Sequence, residues 1–267
     1  MNKRIAAVVV ALFVGVIAHG QGLYWESGTS GGALGDRVIS AQNYYMPHMF
    51  KSATKDMGGT VIVRLDKKMI YQIDSNEKTY SEMTFDQWEA ELKKMNAKMD
   101  AQMDEMKKKM ETMPEEQRKM MEQMMGNKMG AGKSKDAKID VTKTSESKKI
   151  GGYGCTKYSV ARDGKETLAL WATKDLKGYD TMRKDMEEFT SRMMATDFQG
   201  MKSYAEAIKK VDGFPMEADM QGGIKMEVSK VERKNLAASE FEVPAGYTKV
   251  KPKMSDENES ESESDKE

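Results

Sequence analysis

The 267 residues include one cysteine, five prolines and two histidines, so little is available to staple, kink or catalyse. With Cys155 alone no intrachain disulfide can form, and stability must come from packing. A buried thiol behaving as a small hydrophobe is expected there, with a reactive or intermolecular thiol as the alternative. His19 belongs to the opening segment, which leaves His48 as the one candidate for an imidazole base, and no nucleophile motif stands beside it. Enzymatic chemistry is therefore not expected, and no cofactor is implied. Net charge is also missing, because 43 Lys and Arg balance 43 Asp and Glu. A general nucleic-acid binder would show a broad basic footprint, so that class is excluded. Gly130-Ala131-Gly132-Lys133-Ser134 is no phosphate loop, since Asn127 stands where the first glycine is needed and no strand precedes it.

The first twenty residues read as a leader. Lys3 and Arg4 form a basic head, Ile5 to Ala18 is uninterrupted apolar chain, and Ala18-His19-Gly20 offers small residues at a cleavage site. Fourteen helical residues rise only about 21 Å, short of the roughly 30 Å hydrocarbon thickness. Residues 1–20 are thus a signal peptide, and the mature chain begins near Gln21 in the periplasm or outside the cell. No transmembrane anchor is expected after cleavage.

What is abundant is methionine, 26 of 267 residues. β-Formers and alternation mark strands from Leu23 to Tyr80, from Ile139 to Thr173, and around Met216-Ala218-Met220 and Ile224-Met226-Val228, with turns at Asp66-Lys67, Asp74-Ser75-Asn76, Asp163-Gly164 and Gly222-Gly223. Helical periodicity occupies Thr84 to Met125, Tyr179 to Met194 and Met201 to Val211. Helices between antiparallel hairpins indicate an α+β fold in one domain, residues 21–254, with a helical Met-rich insertion at 84–125. The Gly- and Lys-rich stretch 126–138 reads as a flexible loop, and the Ser/Glu stretch 255–267 as a disordered acidic tail.

The insertion carries the functional expectation. At 100° per residue Phe85, Trp88, Leu92, Met95, Met99, Met103, Met106, Met110 and Met113 fall within about 80° of one another, a single narrow stripe. Charged residues occupy the rest, with Glu89–Lys93, Asp104–Lys108 and Glu105–Lys109 in the favourable order. Pro114 followed by Glu115 and Glu116 predicts a kink or a new helix start near Met113. Burying each stripe residue is worth roughly 1.5 to 3 kcal/mol, too much for nine of them to stay wet. Methionine is unbranched and polarizable and suits a surface whose contents change, so these nine are candidate contacts for a hydrophobic ligand. A permanent core packed on the sheet is the competing expectation. The shorter stripe Tyr179, Met182, Met186, Phe189 and Met193 reads as core. Met46, His48 and Met49 could offer thioether and imidazole donors to a soft ion such as Cu(I), a lesser alternative, and an envelope protein docking on the stripe is another.

Ile150-Gly151-Gly152-Tyr153-Gly154-Cys155-Thr156-Lys157-Tyr158, Trp171-Ala172-Thr173 and Lys177-Gly178-Tyr179 add a further signal, as do Asp212-Gly213-Phe214-Pro215 and Phe241-Glu242-Val243-Pro244-Ala245-Gly246-Tyr247. Together they resemble the secreted bacterial family known as domain of unknown function 4412, over most of the mature chain up to about Val250. That family is similar to the LolA-like lipoprotein carriers. The resemblance implies a curved antiparallel half-barrel closed by helices over an apolar cavity, with a lipid, another hydrophobic small molecule or a lipoprotein as partner. It assigns no ligand-contacting residue. An apolar volume of about 300 to 1,000 Å³ beneath a helix would favour ligand binding over a filled core.

Overall fold

The computed structural model describes residues 19–115, 117, 138–193 and 209–252. The fold is α+β, built on one curved, unclosed sheet of twelve strands. The first six are β1 (His19–Ser30), β2 (Ile39–Met46), β3 (Met49–Thr54), β4 (Gly59–Arg64), β5 (Met69–Asp74) and β6 (Thr79–Thr84). Helix α1 (Phe85–Glu111) follows, then β7 (Ile139–Ile150), β8 (Tyr153–Arg162) and β9 (Lys165–Thr173), helix α2 (Tyr179–Met193), and β10 (Phe214–Met220), β11 (Ile224–Ala237) and β12 (Thr248–Lys249). Every neighbouring pair is antiparallel except the two-residue β12, which runs parallel to β6.

The order is β12-β6-β5-β4-β3-β2-β1-β11-β10-β9-β8-β7. Two meanders therefore meet at the centre, where β1 pairs along its whole length with β11. The connection from β6 to β7 must return the chain from near one edge to the other. Ten interstrand steps span roughly 48 Å, which accounts for a connection containing a helix about 40 Å long. β1 includes His19 and Gly20, the last two residues of the expected leader, paired with Ala237 and Leu236. Residues 1–18 of that leader lie outside the described residues, as do 126–137 of the expected loop, the tail from 255, and most of the helix expected at Met201 to Val211.

α1 begins where its sequence says it should. Thr84 Oγ1 accepts from the Gln87 amide at 3.1 Å while Gln87 Oε1 accepts from the Thr84 amide at 2.9 Å, a reciprocal capping box. The break that Pro114 predicts near Met113 is present, and residues 116 and 118–125 of the expected insertion lie outside the described residues. The helix stops at Glu111, capped by Thr112, and Glu115 and Gln117 are again helical. Proline at 114 lacks the amide that an unbroken helix would need and fits a first turn, which accounts for the break. Glu89–Lys93 and Glu105–Lys109 pair at 2.7 Å on the charged face.

Apolar residues cover both faces of the sheet. On one, Phe241 of a short 3₁₀ turn packs over Ile62, Ile73, Met46 and Leu236. On the other, Phe85 sits with Val63, Leu65 and Ile70, and its ring lies 5.7 Å from Phe189 of α2. The same face carries a central cluster of Leu23, Tyr45, Cys155, Met182, Phe214, Met216 and Val228, and beside it Tyr158, Val160, Leu168, Leu170 and Ala218. Register explains the continuity of this face. Tyr158 opposes Leu170, Leu170 opposes Ala218, and Ala218 opposes Met226 across four strands.

Candidate functional site

Between α2 and the central strands lies a cleft of about 560 Å³. Its floor comes from Trp25 of β1, Leu168 and Leu170 of β9, Phe214 and Ala218 of β10 and Val228 of β11, and its roof from Tyr179, Met182 and Met186 of α2. Phe214 is the hinge of an aromatic group, edge-on to Trp25 at 5.8 Å and to Tyr179 at 5.5 Å. Burial pushes the Tyr179 phenol up to about 12. Met186 stands 42% exposed at the open side. Two other concavities, about 380 and 400 Å³, are lined mainly by polar residues and offer no comparable hydrocarbon surface.

The polar groups of the cleft fall in two places. At one end Asn43 donates to Ser27 Oγ at 3.1 Å and accepts from Ser52 Oγ at 2.8 Å, so this buried amide is satisfied within the protein. Arg183, Glu187 and Thr190 of α2 and Lys209 supply the other group. The segment after Lys209 is held by Gly213, whose φ of 131° is accessible to glycine and whose pro-Cβ position lies 2.5 Å from the Thr173 carbonyl oxygen. This close approach sets Phe214 against the floor.

α2 is fixed over the sheet by Asp185. Its buried carboxylate accepts from Tyr45 Oη at 2.8 Å and from the His48 amide at 2.7 Å, and lies 3.2 Å from His48 Nδ1. Pro47 and His48 form the tight turn between β2 and β3, with His48 at φ 65°. Burial and the Asp185 carboxylate together raise the Tyr45 phenol far above its ordinary value.

Among the described residues, no side chain of the α1 stripe lines this cleft. Phe85 and Leu92 are buried, and Trp88, Met95, Met99, Met106, Met110 and Met113 are half-buried, while the Met103 side chain lies outside the described residues. Phe85 and Trp88 pack on the β3–β5 end of the sheet with Phe189. The soft-metal trio is not gathered either. Met46 and Met49 belong to the cluster around Phe241 on the opposite face, whereas His48, in a turn and not on a strand, reaches toward α2. The turn directs the imidazole to Asp185 and away from the face that holds Met46 and Met49. Among the described residues no group of three or more His, Cys, Asp or Glu could hold a metal ion. Cys155 is buried in the central cluster, and burial pushes its thiol up.

The cleft residues were partly visible in the sequence. Of the alternating strand residues Met216-Ala218-Met220 and Ile224-Met226-Val228, the cleft takes Ala218, Met220, Met226 and Val228, and of the motif Asp212-Gly213-Phe214-Pro215 it takes Gly213, Phe214 and Pro215. The stripe from Tyr179 was read as core, and Met182 is buried, but Tyr179, Met182 and Met186 also form the cleft roof. Trp25 and Arg183 gave no signal in the sequence.

Among the described residues no helix is long and apolar enough to cross a membrane. No curated protein matches the chain. Among solved structures, PNGF-II in a C2 crystal form is similar at 10% identity and a TM-score of 0.37, over 87% of this chain and 31% of that one. MucB is similar at 6% identity and a TM-score of 0.38, over 85% of this chain and 59% of that one. The chain thus spans less than two thirds of either protein, and at this distance neither likeness bears on function. A family model described as a domain of unknown function, DUF4412, matches residues 87–247, more than half of the chain, and the chain belongs to that family.

Proposed function

We propose that this chain is an exported, non-enzymatic binding protein that shelters a lipid, an acyl chain or another hydrophobic ligand between its sheet and α2. The observation that carries this is the cleft, about 560 Å³ and walled by aromatic and aliphatic side chains, within the usual ligand-site range of roughly 300 to 1,000 Å³. Methionine roofs suit such a role, because a flexible thioether follows ligands of different shape at little rotamer cost. In this proposal the α2 cleft is the primary site. Phe85 and Trp88, at the start of the α1 stripe, pack with Phe189 and seat α2. Work in the periplasm or outside the cell follows from the leader read in the first twenty residues.

Trp25 in the floor supplies the assay. Titration of the exported protein with an acyl probe should change its tryptophan emission, and native mass spectrometry of protein from an exporting host should show bound lipid. Leu170→Trp, which fills the floor, should abolish the titration, and Met186→Trp at the rim should weaken it. Absence of any acyl binding by the wild type, or unchanged binding in both variants, would overturn the assignment.

A further inference from the structure

The cleft is not lined by hydrocarbon alone. Arg183 projects from α2 onto its rim, and its Nε is buried yet makes no hydrogen bond among the described residues. Glu187, one turn on, comes only to 3.8 Å from that nitrogen, an ion-pair distance outside hydrogen-bond range. The order Arg then Glu along a helix is also the weaker one. Asp212, a carboxylate of the segment that borders the cleft, is engaged by Lys174. A buried guanidinium donor without an acceptor costs stability in the empty protein, and an unsatisfied group of this kind in a concave site calls for an explanation. Its planar fork matches an anion with two coplanar oxygens. Lys209 lies on the same lining and adds to the positive potential there.

Resting on the assignment of the cleft as a site for hydrophobic ligands, we propose that its ligand is an anionic amphiphile. The hydrocarbon lies over Trp25, Leu168, Leu170 and Phe214, and a carboxylate head is received by Arg183. Glu187 tunes this head site against over-tight binding by placing a like charge beside it. The head is thereby held at the open rim, where the charged group keeps part of its hydration and Arg183 remains 37% exposed. The tail alone is desolvated.

The test compares dodecanoate with methyl dodecanoate, displacing a fluorescent acyl probe from the exported full chain at pH 8. One hydrogen-bonded charge is worth about tenfold in affinity, so wild type should prefer the acid by about that factor. Arg183→Gln should remove the preference by weakening the acid while leaving the ester within about twofold, Arg183→Lys should restore part of it, and Glu187→Gln should tighten the acid alone. Dodecyl phosphate, with the same charge sign but a different head, should bind less tightly than dodecanoate if the site is fitted to a carboxylate. Equal affinity of wild type for acid and ester, or a preference that survives Arg183→Gln, overturns the proposal while leaving the cleft a hydrophobic site. Failure of both acid and ester to bind overturns the cleft assignment and this proposal with it.

Discussion

Removal of the Asp185 carboxylate should loosen α2 from the sheet. Asp185 is 5% exposed and takes two hydrogen bonds, from Tyr45 Oη at 2.8 Å and the His48 amide at 2.7 Å. In Asp185→Ala the phenol and the amide both lose their acceptor. Each orphaned buried donor costs about 1 to 3 kcal/mol, and the turn also loses what stabilises a non-glycine residue at φ 65°. A total of roughly 3 to 5 kcal/mol is expected, which for a domain of this size lowers Tm by about 6 to 20 °C. Tyr45→Phe breaks only one of these bonds, leaves the carboxylate with its His48 partners, and should cost about 1.5 to 3 kcal/mol. Asp185→Asn keeps an acceptor and should fall below both. Urea titrations of the three variants at pH 7, with the denaturant slope held constant, measure these values and their order. A cost below about 1 kcal/mol for Asp185→Ala would refute the reasoning, since buried donors would then have found other partners. So would a larger loss for Tyr45→Phe than for Asp185→Ala.

Tyr24 and Tyr179 are raised to about 12, and Tyr45 higher, by burial. Because the folded state holds these protons more tightly, their contribution is complete below the unfolded value of about 10 and is lost as pH climbs toward the folded values. Urea midpoints should therefore fall between pH 10 and 12, less steeply in Tyr179→Phe, and a flat profile would contradict the burial of these phenols. Gly213→Ala places a methyl against the Thr173 carbonyl at a φ of 131°, so it should destabilise by about 2 kcal/mol or more and weaken acyl-probe binding by displacing Phe214, as read by urea titration and probe fluorescence. Cys155, buried with a raised thiol, should react with a thiol reagent in urea but hardly at all in the native state at pH 8, and fast native labelling would place it outside the core.

Local order is legible in the sequence where neighbours along the chain decide it. The turns at Asp74-Ser75-Asn76, Asp163-Gly164 and Gly222-Gly223 join the hairpins as expected, and the capping box and the break before Pro114 bound α1. These depend on dihedral preferences and hydrogen bonds a few residues apart, so they can be read without knowing the fold. The alternation of Ala218 and Met226 likewise marks an apolar face because strand side chains change sides at every residue.

Tertiary structure decided what that face meets. The β1–β11 pairing joins Leu23 to Arg233, and no periodicity within either segment specifies a partner that far away. The stripes of α1 and α2 look alike as sequence, yet the Tyr179–Met186 side roofs a cleft while Phe85 and Trp88 pack on the β3–β5 end of the sheet. An apolar stripe states that something must cover it and is silent about whether that cover is a strand or a guest. Likewise, the motif from Asp212 to Pro215 acquires its meaning from Thr173, against which Gly213 is pressed, and Arg183 acquires its from a buried Nε that finds no hydrogen-bond acceptor among the described residues. Amphipathicity belongs to one segment and is written there, whereas a cavity and an unmet hydrogen bond exist only between segments, and so appear only once the chain has folded.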